Sequence, residues 1–350
     1  AGIAVPPLLK LVDLTRHDAF DGLSQPVVNA IEKNNTAGGQ TLVFLNRRGF
    51  APTLICTGCG KIAECGRCDS RMTVHATSNT LRCHHCGAER VIEADCLDCG
   101  AAYRALGHGT ERLEDVLKER FPAEVITRVD SDSTRLKGTM SKALAMATTG
   151  ETRILVGTQM LSKGHHFPDL SLVVIINADQ GLFSTDFRGA ERLAQSLVQV
   201  SGRAGREERQ GEVIIQTAFP DHPFWAELFA GGYRGVAERE LTEREKSLWP
   251  PFSKIALIRA SAPKRADAHA FLALAHQLAG ASSIDNVRLL GPVRAPMERR
   301  AGRYRAQLLL QSVDRRSLHA MLAYLRTKLE GSKEARRGRW SVDVDPIELF

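Results

Sequence analysis

Short, solid apolar runs punctuate the first 220 residues: TLVFL at 41–45, VITRVD at 125–130, RILVGTQ at 153–159, SLVVIINAD at 171–179 and GEVIIQT at 211–217. Runs of this length, without strict alternation, fit strands buried on both faces. Stretches with helical spacing lie between most of them. GTERLEDVLKERFP (109–122) carries Glu111, Glu114 and Asp115 early and Pro122 just past its end, which predicts a helix. Residues 137–149 and 188–201 read the same way, and in the latter Ala190, Leu193, Leu197 and Val200 form one core-facing stripe. Strands alternating with helices predict an α/β domain, a parallel sheet with helices on both faces.

The pattern changes after residue 221. KIALIRA (254–260), NVRLLGP (286–292), YRAQLLLQS (304–312) and WSVDVD (340–345) read as strands, with helices at 265–279 and 315–330. The order β-α-β-β-α-β predicts a split βαβ sandwich, an α+β domain. Its middle connection carries Arg294, Arg299, Arg300, Arg303 and Arg305 against one acid, Glu298. A basic hairpin tip of this kind, with Tyr304 beside it, can grip phosphates and stack a base.

A block of different character interrupts the α/β pattern between the strand at 41–45 and the helix at 109–122. All eight cysteines of the 350 residues lie in it, as four C-x-x-C pairs: Cys56/Cys59, Cys65/Cys68, Cys83/Cys86 and Cys96/Cys99. Two thiolates two residues apart chelate one tetrahedral zinc from a tight turn, and two such turns complete a closed four-cysteine site. Gly60, Gly87 and Gly100 follow the second cysteine in three of the pairs, where a knuckle needs positive φ. Eight thiolates therefore predict two structural zinc sites. Spacing alone leaves neighbouring, interleaved and nested pairings open. Redox C-x-x-C motifs do not come in fours, and AGIAVPPLLK lacks the basic start and long apolar core of a secretory leader, so disulfides are not expected.

Charge changes the picture modestly. Net charge is +7 and the pI is about 9.1, a lean toward polyanions such as nucleic acid. No apolar run approaches the roughly 18 residues of a membrane span, so no membrane association is expected. The chain opens on Ala rather than Met, as a fragment or a processed product does.

Two element ends are unusually polar and Gly-containing. One is VGTQMLSKGHHFPD (156–169), after a buried strand. The other is QSLVQVSGRAGREERQG (195–211), where Arg203 and Arg206, flanked by Gly202 and Gly205, offer bidentate donors without bulky neighbours, as a phosphate requires. ILVGTQMLSKGHHFPDLSLVVIINAD (154–179) resembles motif V of superfamily 2 helicases, and QVSGRAGR (199–206) resembles motif VI, Q-x-x-G-R-x-G-R. FLNRRGFAP (44–52), followed at once by paired C-x-x-C knuckles, is similar to the replication-restart helicases within that superfamily. The resemblance runs from about Thr41 to the end, through DFRGAER (186–192), WPPFSKIALIRA (249–260) and VDVDPIEL (342–349). Asn177 stands where the family usually has Asp, and Gly66 where Pro is common.

The resemblance implies a RecA-like helicase C-terminal lobe at 1–52 and 102–220, a binuclear zinc module at 53–101 and a C-terminal DNA- and partner-binding domain at 221–350. It implies an arginine finger at Arg206 and a second γ-phosphate contact at Arg203, with Gly202 and Gly205 at the nucleotide and Gln199 near it or relaying toward DNA. Gly157, Thr158 and Gln159 would touch the DNA backbone, and Lys163, His165 and His166 could add phosphate contacts. A metal-binding role for the adjacent His165 and His166 is not expected. The resemblance also selects a nested zinc pairing, Cys56, Cys59, Cys96 and Cys99 on one ion and Cys65, Cys68, Cys83 and Cys86 on the other. Implied partners are forked and single-stranded DNA, other primosome proteins and single-strand-binding protein. A monomer in the bacterial cytoplasm, associated with the nucleoid, is expected.

A superfamily 2 motor also needs a Walker A loop and a D-E-x-H, and these residues contain neither. ATP and Mg²⁺ are then cofactors of a complete protein whose main ATP site lies outside this chain. Two readings follow. One is the C-terminal part of an ATP-dependent 3′-to-5′ DNA helicase that acts in replication restart, inactive without its first lobe. The other is a non-catalytic, zinc-stabilised DNA- and partner-binding platform.

Overall fold

The structure, a computed structural model, describes residues 7–46, 53–67, 72–75, 79–83, 86, 88–96, 98–106, 110–129, 138–158, 167–184, 186–205 and 210–349. Cys68, Gln159, Lys163, His165, His166, Arg206 and residues 47–52 lie outside them. The chain divides into two compact units, residues 1–52 with 107–240 and residues 53–106 with 241–350.

The first unit is built on six strands, all parallel, in the spatial order Leu8–Asp13, Glu212–Thr217, Leu170–Ile176, Gln40–Leu45, Ile154–Gly157, Ile126–Val129. Successive side chains on a strand face opposite ways, so each solid apolar run feeds two cores. Leu42, Phe44, Val173 and Ile175 enter one core, against Leu193, Leu197 and Val200 of helix Gly189–Ser201. Val43, Leu45, Leu172 and Val174 enter the other, against Val27, Val28 and Ile31 of helix Gln25–Thr36 and Leu113, Val116 and Leu117 of helix Thr110–Arg120. Buried amides tie the layers together. Gln40 Nε2 donates to the carbonyls of Ala147 (3.0 Å) and Thr152 (2.6 Å), closing off helix Thr139–Thr148. The last helix of the unit, within Pro223–Lys246, is broken at Gly232 (φ 59°, ψ −147°).

The strand Leu8–Asp13 and the helix Gln25–Thr36 are not apparent in the apolar pattern. Lys10 interrupts the LLKLVD run, because this is an edge strand whose Lys10 reaches Glu212 at 2.8 Å. The helix, QPVVNAIEKNNT, is rich in asparagine and a weak former. It forms because Pro26 sets its first turn and because Gln216 receives the Ser24 N–H (2.8 Å) and donates to the Gly22 carbonyl (2.8 Å).

In the second unit the split βαβ domain is an antiparallel sheet in the order Arg288–Arg300, Arg303–Ser312, Lys254–Ala262, Arg339–Val344. Helices Arg265–Gly280 and Arg315–Glu330 cover one face, packing Phe271, Leu272, Leu318, Met321 and Leu325 on Ile258, Leu308 and Leu310. Asp314 caps the second helix by accepting the Arg316 and Ser317 N–H groups. The basic segment expected in a connection is instead strand: Arg288–Arg300 runs 13 residues, and only Ala301 and Gly302 turn. Both have positive φ (53° and 76°), the two-residue geometry that matches strand twist.

An alanine pays for that geometry with backbone strain of about 1 kcal/mol that glycine does not incur. Ala301→Gly is therefore expected to raise the stability of this unit by about 1 kcal/mol in urea unfolding, and an unchanged or lower midpoint contradicts the strained turn.

Candidate functional site

The cysteine block has a small scaffold of its own. Thr53–Cys56 pairs antiparallel with Tyr103–Leu106 at its base, and Thr73–His75, Thr80–Arg82 and Glu89–Val91 form a three-stranded sheet. Its apolar centre is little more than Leu54, Ala63, Met72 and Leu81 with buried Cys65 and Cys83. So few aliphatic side chains do not fix a block this size, and domains this small lean on metals.

Three of its turns share one construction. The N–H of Cys56 donates to the Lys61 carbonyl (2.9 Å), that of Cys83 to Ala88 (2.8 Å) and that of Cys96 to Ala101 (2.9 Å). Gly60 (φ 72°) and Gly100 (φ 71°) fold the chain back and donate to the carbonyls of Cys56 (3.1 Å) and Cys96 (2.8 Å). The turns hold sulfurs together. The Sγ atoms of Cys56, Cys59, Cys96 and Cys99 all lie within 4.8 Å of one another, with Cys56–Cys99 at 3.3 Å and Cys59–Cys96 at 3.8 Å. Zinc–sulfur bonds of about 2.3 Å in a tetrahedron place sulfurs about 3.8 Å apart. The four-sulfur donor set fits zinc and leaves no position for water. Cys65, Cys83 and Cys86 form a second group, with Cys65–Cys86 at 3.7 Å; Cys68, the fourth cysteine of the inner pairs, lies outside the described residues.

Main-chain N–H groups prepare the sulfurs for ionisation. The Cys59 N–H, then the neighbouring Cys99 thiol and Gly58 N–H, hold Cys56 below the ordinary thiol value. The Asp98 N–H pulls Cys96 down to about 6. Cys59 has the Lys61 N–H beside it, yet the Cys56 sulfur and burial push it up to about 12. Some sulfurs ionise readily and their neighbours then resist, because four negative charges this close need a cation among them.

The long hairpin places the predicted phosphate contacts unequally. Arg303 is spent on the protein, its Nη2 on the Ser261 carbonyl (2.7 Å) and its Nε on the Ser261 hydroxyl (3.1 Å). Arg299 Nη2 donates to the Cys65 carbonyl (3.5 Å). Tyr304 has the Arg265 guanidinium over one ring face, 5.2 Å from its centroid. Arg300 is exposed, and Arg305 is half-buried.

In the first unit Thr158 and the Gly202–Gly205 segment lie at opposite ends of the sheet. Gly157 ends its strand and Thr158 follows it, buried, at the carboxyl end of the parallel sheet. The Gly202–Gly205 segment lies at the amino end, where the Gly205 N–H donates to the carbonyl of Leu170, the first residue of its strand. Glycine builds this loop: Gly205 has φ 72°, and a side chain on Gly211 would sit 2.3 Å from the Ala204 carbonyl carbon. Arg203 is half-buried there, and Gln199 is exposed on the preceding helix. A cleft of about 180 Å³, lined by Asn46, Gln180, Ser184, Arg192 and Ser196 among others, opens where the strands Gln40–Leu45 and Leu170–Ile176 end. Carboxyl ends of parallel strands are where such sheets take ligands. Arg192 is held by buried Asp186 at 3.3 Å. The quoted DFRGAER segment was its sequence signal, and its spacing gave no chemistry by itself.

A two-faced parallel sheet, a thiolate module that interrupts it and a split βαβ domain define a helicase C-terminal lobe of the zinc-bearing kind. Residues 106–208 match the helicase conserved C-terminal domain, residues 65–90 the PriA DNA helicase Cys-rich region and residues 246–347 the primosomal protein N C-terminal domain. The chain is 44% identical over 341 residues to the replication restart protein PriA of Haemophilus influenzae, covering 97% of this chain and 46% of that protein. It is 34% identical over 352 residues to that of Bacillus subtilis, covering 99% of this chain and 44% of that one. The Escherichia coli DEAH/RHA helicase HrpB is similar at 15% identity over 62% of this chain and 20% of that one, with a TM-score of 0.32, too distant to bear on the reading. The chain belongs to the PriA family of replication restart proteins, as a C-terminal portion, and spans about half the length of the relatives it matches.

Metal analysis of the purified chain is expected to give about two zinc ions, and Cys59→Ser about one, with chelation loosening the amides of the cysteine block before those of the parallel sheet. One zinc or none in the parent chain contradicts two closed sites.

Proposed function

We propose that the chain is the C-terminal part of an ATP-dependent 3′-to-5′ DNA helicase that recognises abandoned replication forks and starts primosome assembly in the bacterial cytoplasm. The observation that supports this most is the succession, in one chain, of helicase, Cys-rich and primosomal C-terminal segments that match their family models. In this reading Arg206 is the arginine finger and Arg203 a second γ-phosphate contact, with Gly202 and Gly205 at the nucleotide, and Gln199 relays toward DNA. Gly157, Thr158, Gln159 and Lys163 touch the DNA backbone. ATP and Mg²⁺ bind the complete protein, and the two cysteine sets hold structural zinc. Forked and single-stranded DNA, primosome proteins and single-strand-binding protein are the partners.

A platform reading is favoured by one observation: the 350 residues contain no G-x-x-x-x-G-K-[ST] and no D-E-x-H. By themselves they hold DNA without turning over ATP. A labelled forked oligodeoxynucleotide is expected to bind the zinc-loaded chain with affinity falling about a hundredfold between about 50 and 200 mM salt, as about four phosphate contacts require. DNA-stimulated ATP turnover is expected at background. A flat salt dependence contradicts the phosphate contacts, and turnover by this chain alone contradicts the assignment of the ATP site elsewhere.

A further inference from the structure

Two phenyl rings stand in the open at the carboxyl edge of the parallel sheet. Phe183 is 56% exposed and Phe219 47%, although each covers part of the other, edge to face with ring centroids 4.6 Å apart. The His222 ring stands 5.9 Å from Phe183, nearly perpendicular to it. Single exposed phenyl rings are ordinary on a surface. This pair is fixed from below. Asp179 accepts the Thr217 hydroxyl on one carboxylate oxygen and the Ala218 N–H (2.9 Å) on the other. Phe183 closes the short turn Asp179–Leu182, and its N–H donates to the Asp179 carbonyl at 3.2 Å. The Phe219 N–H donates to the Thr217 hydroxyl (3.0 Å), and its carbonyl receives the indole N–H of buried Trp225 (3.0 Å). Asn177, at a φ of 59° that asparagine tolerates, turns the chain off the sheet toward Asp179. Rings on a backbone held in this way lose little freedom on meeting a ligand.

Their place on the sheet points to the ligand. Glu212–Thr217, Leu170–Ile176, Gln40–Leu45 and Ile154–Gly157 are neighbours in that order and all parallel, so their carboxyl ends form a row. Phe219 follows the first strand, Phe183 the second, Asn46 the third and Thr158 the fourth. Neighbouring strands are about 4.8 Å apart, so the row spans roughly 14 Å, a few nucleotides of extended chain. It leads from the rings, past the cleft that Asn46, Gln180, Ser184 and Ser196 line with amides and hydroxyls, to the proposed backbone contact at Thr158. Aromatic faces beside amides and hydroxyls suit a flat ring with polar edges better than the aliphatic side chains of a protein partner.

We propose that Phe183 and Phe219 form a stacking platform for an unpaired base, with the strand that carries it running along the carboxyl edge of the sheet toward Thr158. Stacking of this kind reads no sequence, because every base has a π face. The proposal rests on the nucleic-acid reading above and deepens it by naming the part of the strand that is gripped.

Binding of two labelled strands of equal length and charge tests it, one a mixed-sequence single-stranded oligodeoxynucleotide and the other an abasic deoxyribose-phosphate strand, both with the full zinc-loaded chain. Phe183→Ala is expected to weaken the base-bearing strand about tenfold while leaving the abasic strand and the salt slope unchanged, because no phosphate contact is lost. Phe219→Ala is expected to act in the same direction, and Phe183→Trp to keep the parent affinity. Should Phe183→Ala fold poorly, Phe183→Leu, which keeps apolar bulk without a π face, is expected to show the same selective loss. Unchanged binding of the base-bearing strand, or an equal loss for both strands, overturns the platform and leaves the rings as a packing surface, while DNA binding by the parent chain stands. Absent binding of either strand by the parent chain overturns the nucleic-acid reading and the platform together.

Discussion

Four sulfurs within 4.8 Å of one another cannot all carry charge unless a cation sits among them, and this condition governs the second unit. The cysteine block has too few apolar side chains to close on its own. It forms instead through turns whose main-chain hydrogen bonds aim sulfurs at a common point, with Gly60 and Gly100 supplying the positive φ that those turns need. The consequences extend past the block. The segment Cys65–Arg67 is at once part of a sulfur cluster and the seat of the hairpin tip.

The first unit obeys a different constraint. Its central strands are buried on both faces, so every residue of Gln40–Leu45 and Ile154–Gly157 is committed to packing, which leaves the ends of those strands for chemistry. The glycine-built loop at Gly202–Gly205 occupies the amino end, while Thr158 and the cleft near Arg192 occupy the carboxyl end.

Much of this was legible in the sequence for a definite reason. Solid apolar runs such as TLVFL and SLVVII have few other folded solutions, and C-x-x-C pairs carry their geometry in their spacing. What escaped was decided by tertiary partners. The helix Gln25–Thr36 exists because Gln216, nearly two hundred residues away, satisfies Ser24 and Gly22. The segment around Arg294–Arg305 read as a connection because arginine-rich sequence lacks an apolar period, yet strand pairing with Arg303–Ser312 carries it to the tip. Composition marked Arg299 and Arg303 as cations for a ligand. It does not show that their donors already rest on the Cys65 and Ser261 carbonyls.

The most direct measurement of the central claim is zinc X-ray absorption on the purified chain. Two closed thiolate sites require a first shell of four sulfurs per zinc at about 2.3 Å with no lighter scatterer. A nitrogen or oxygen shell at about 2.0 to 2.1 Å, or a sulfur number well below four, contradicts the account.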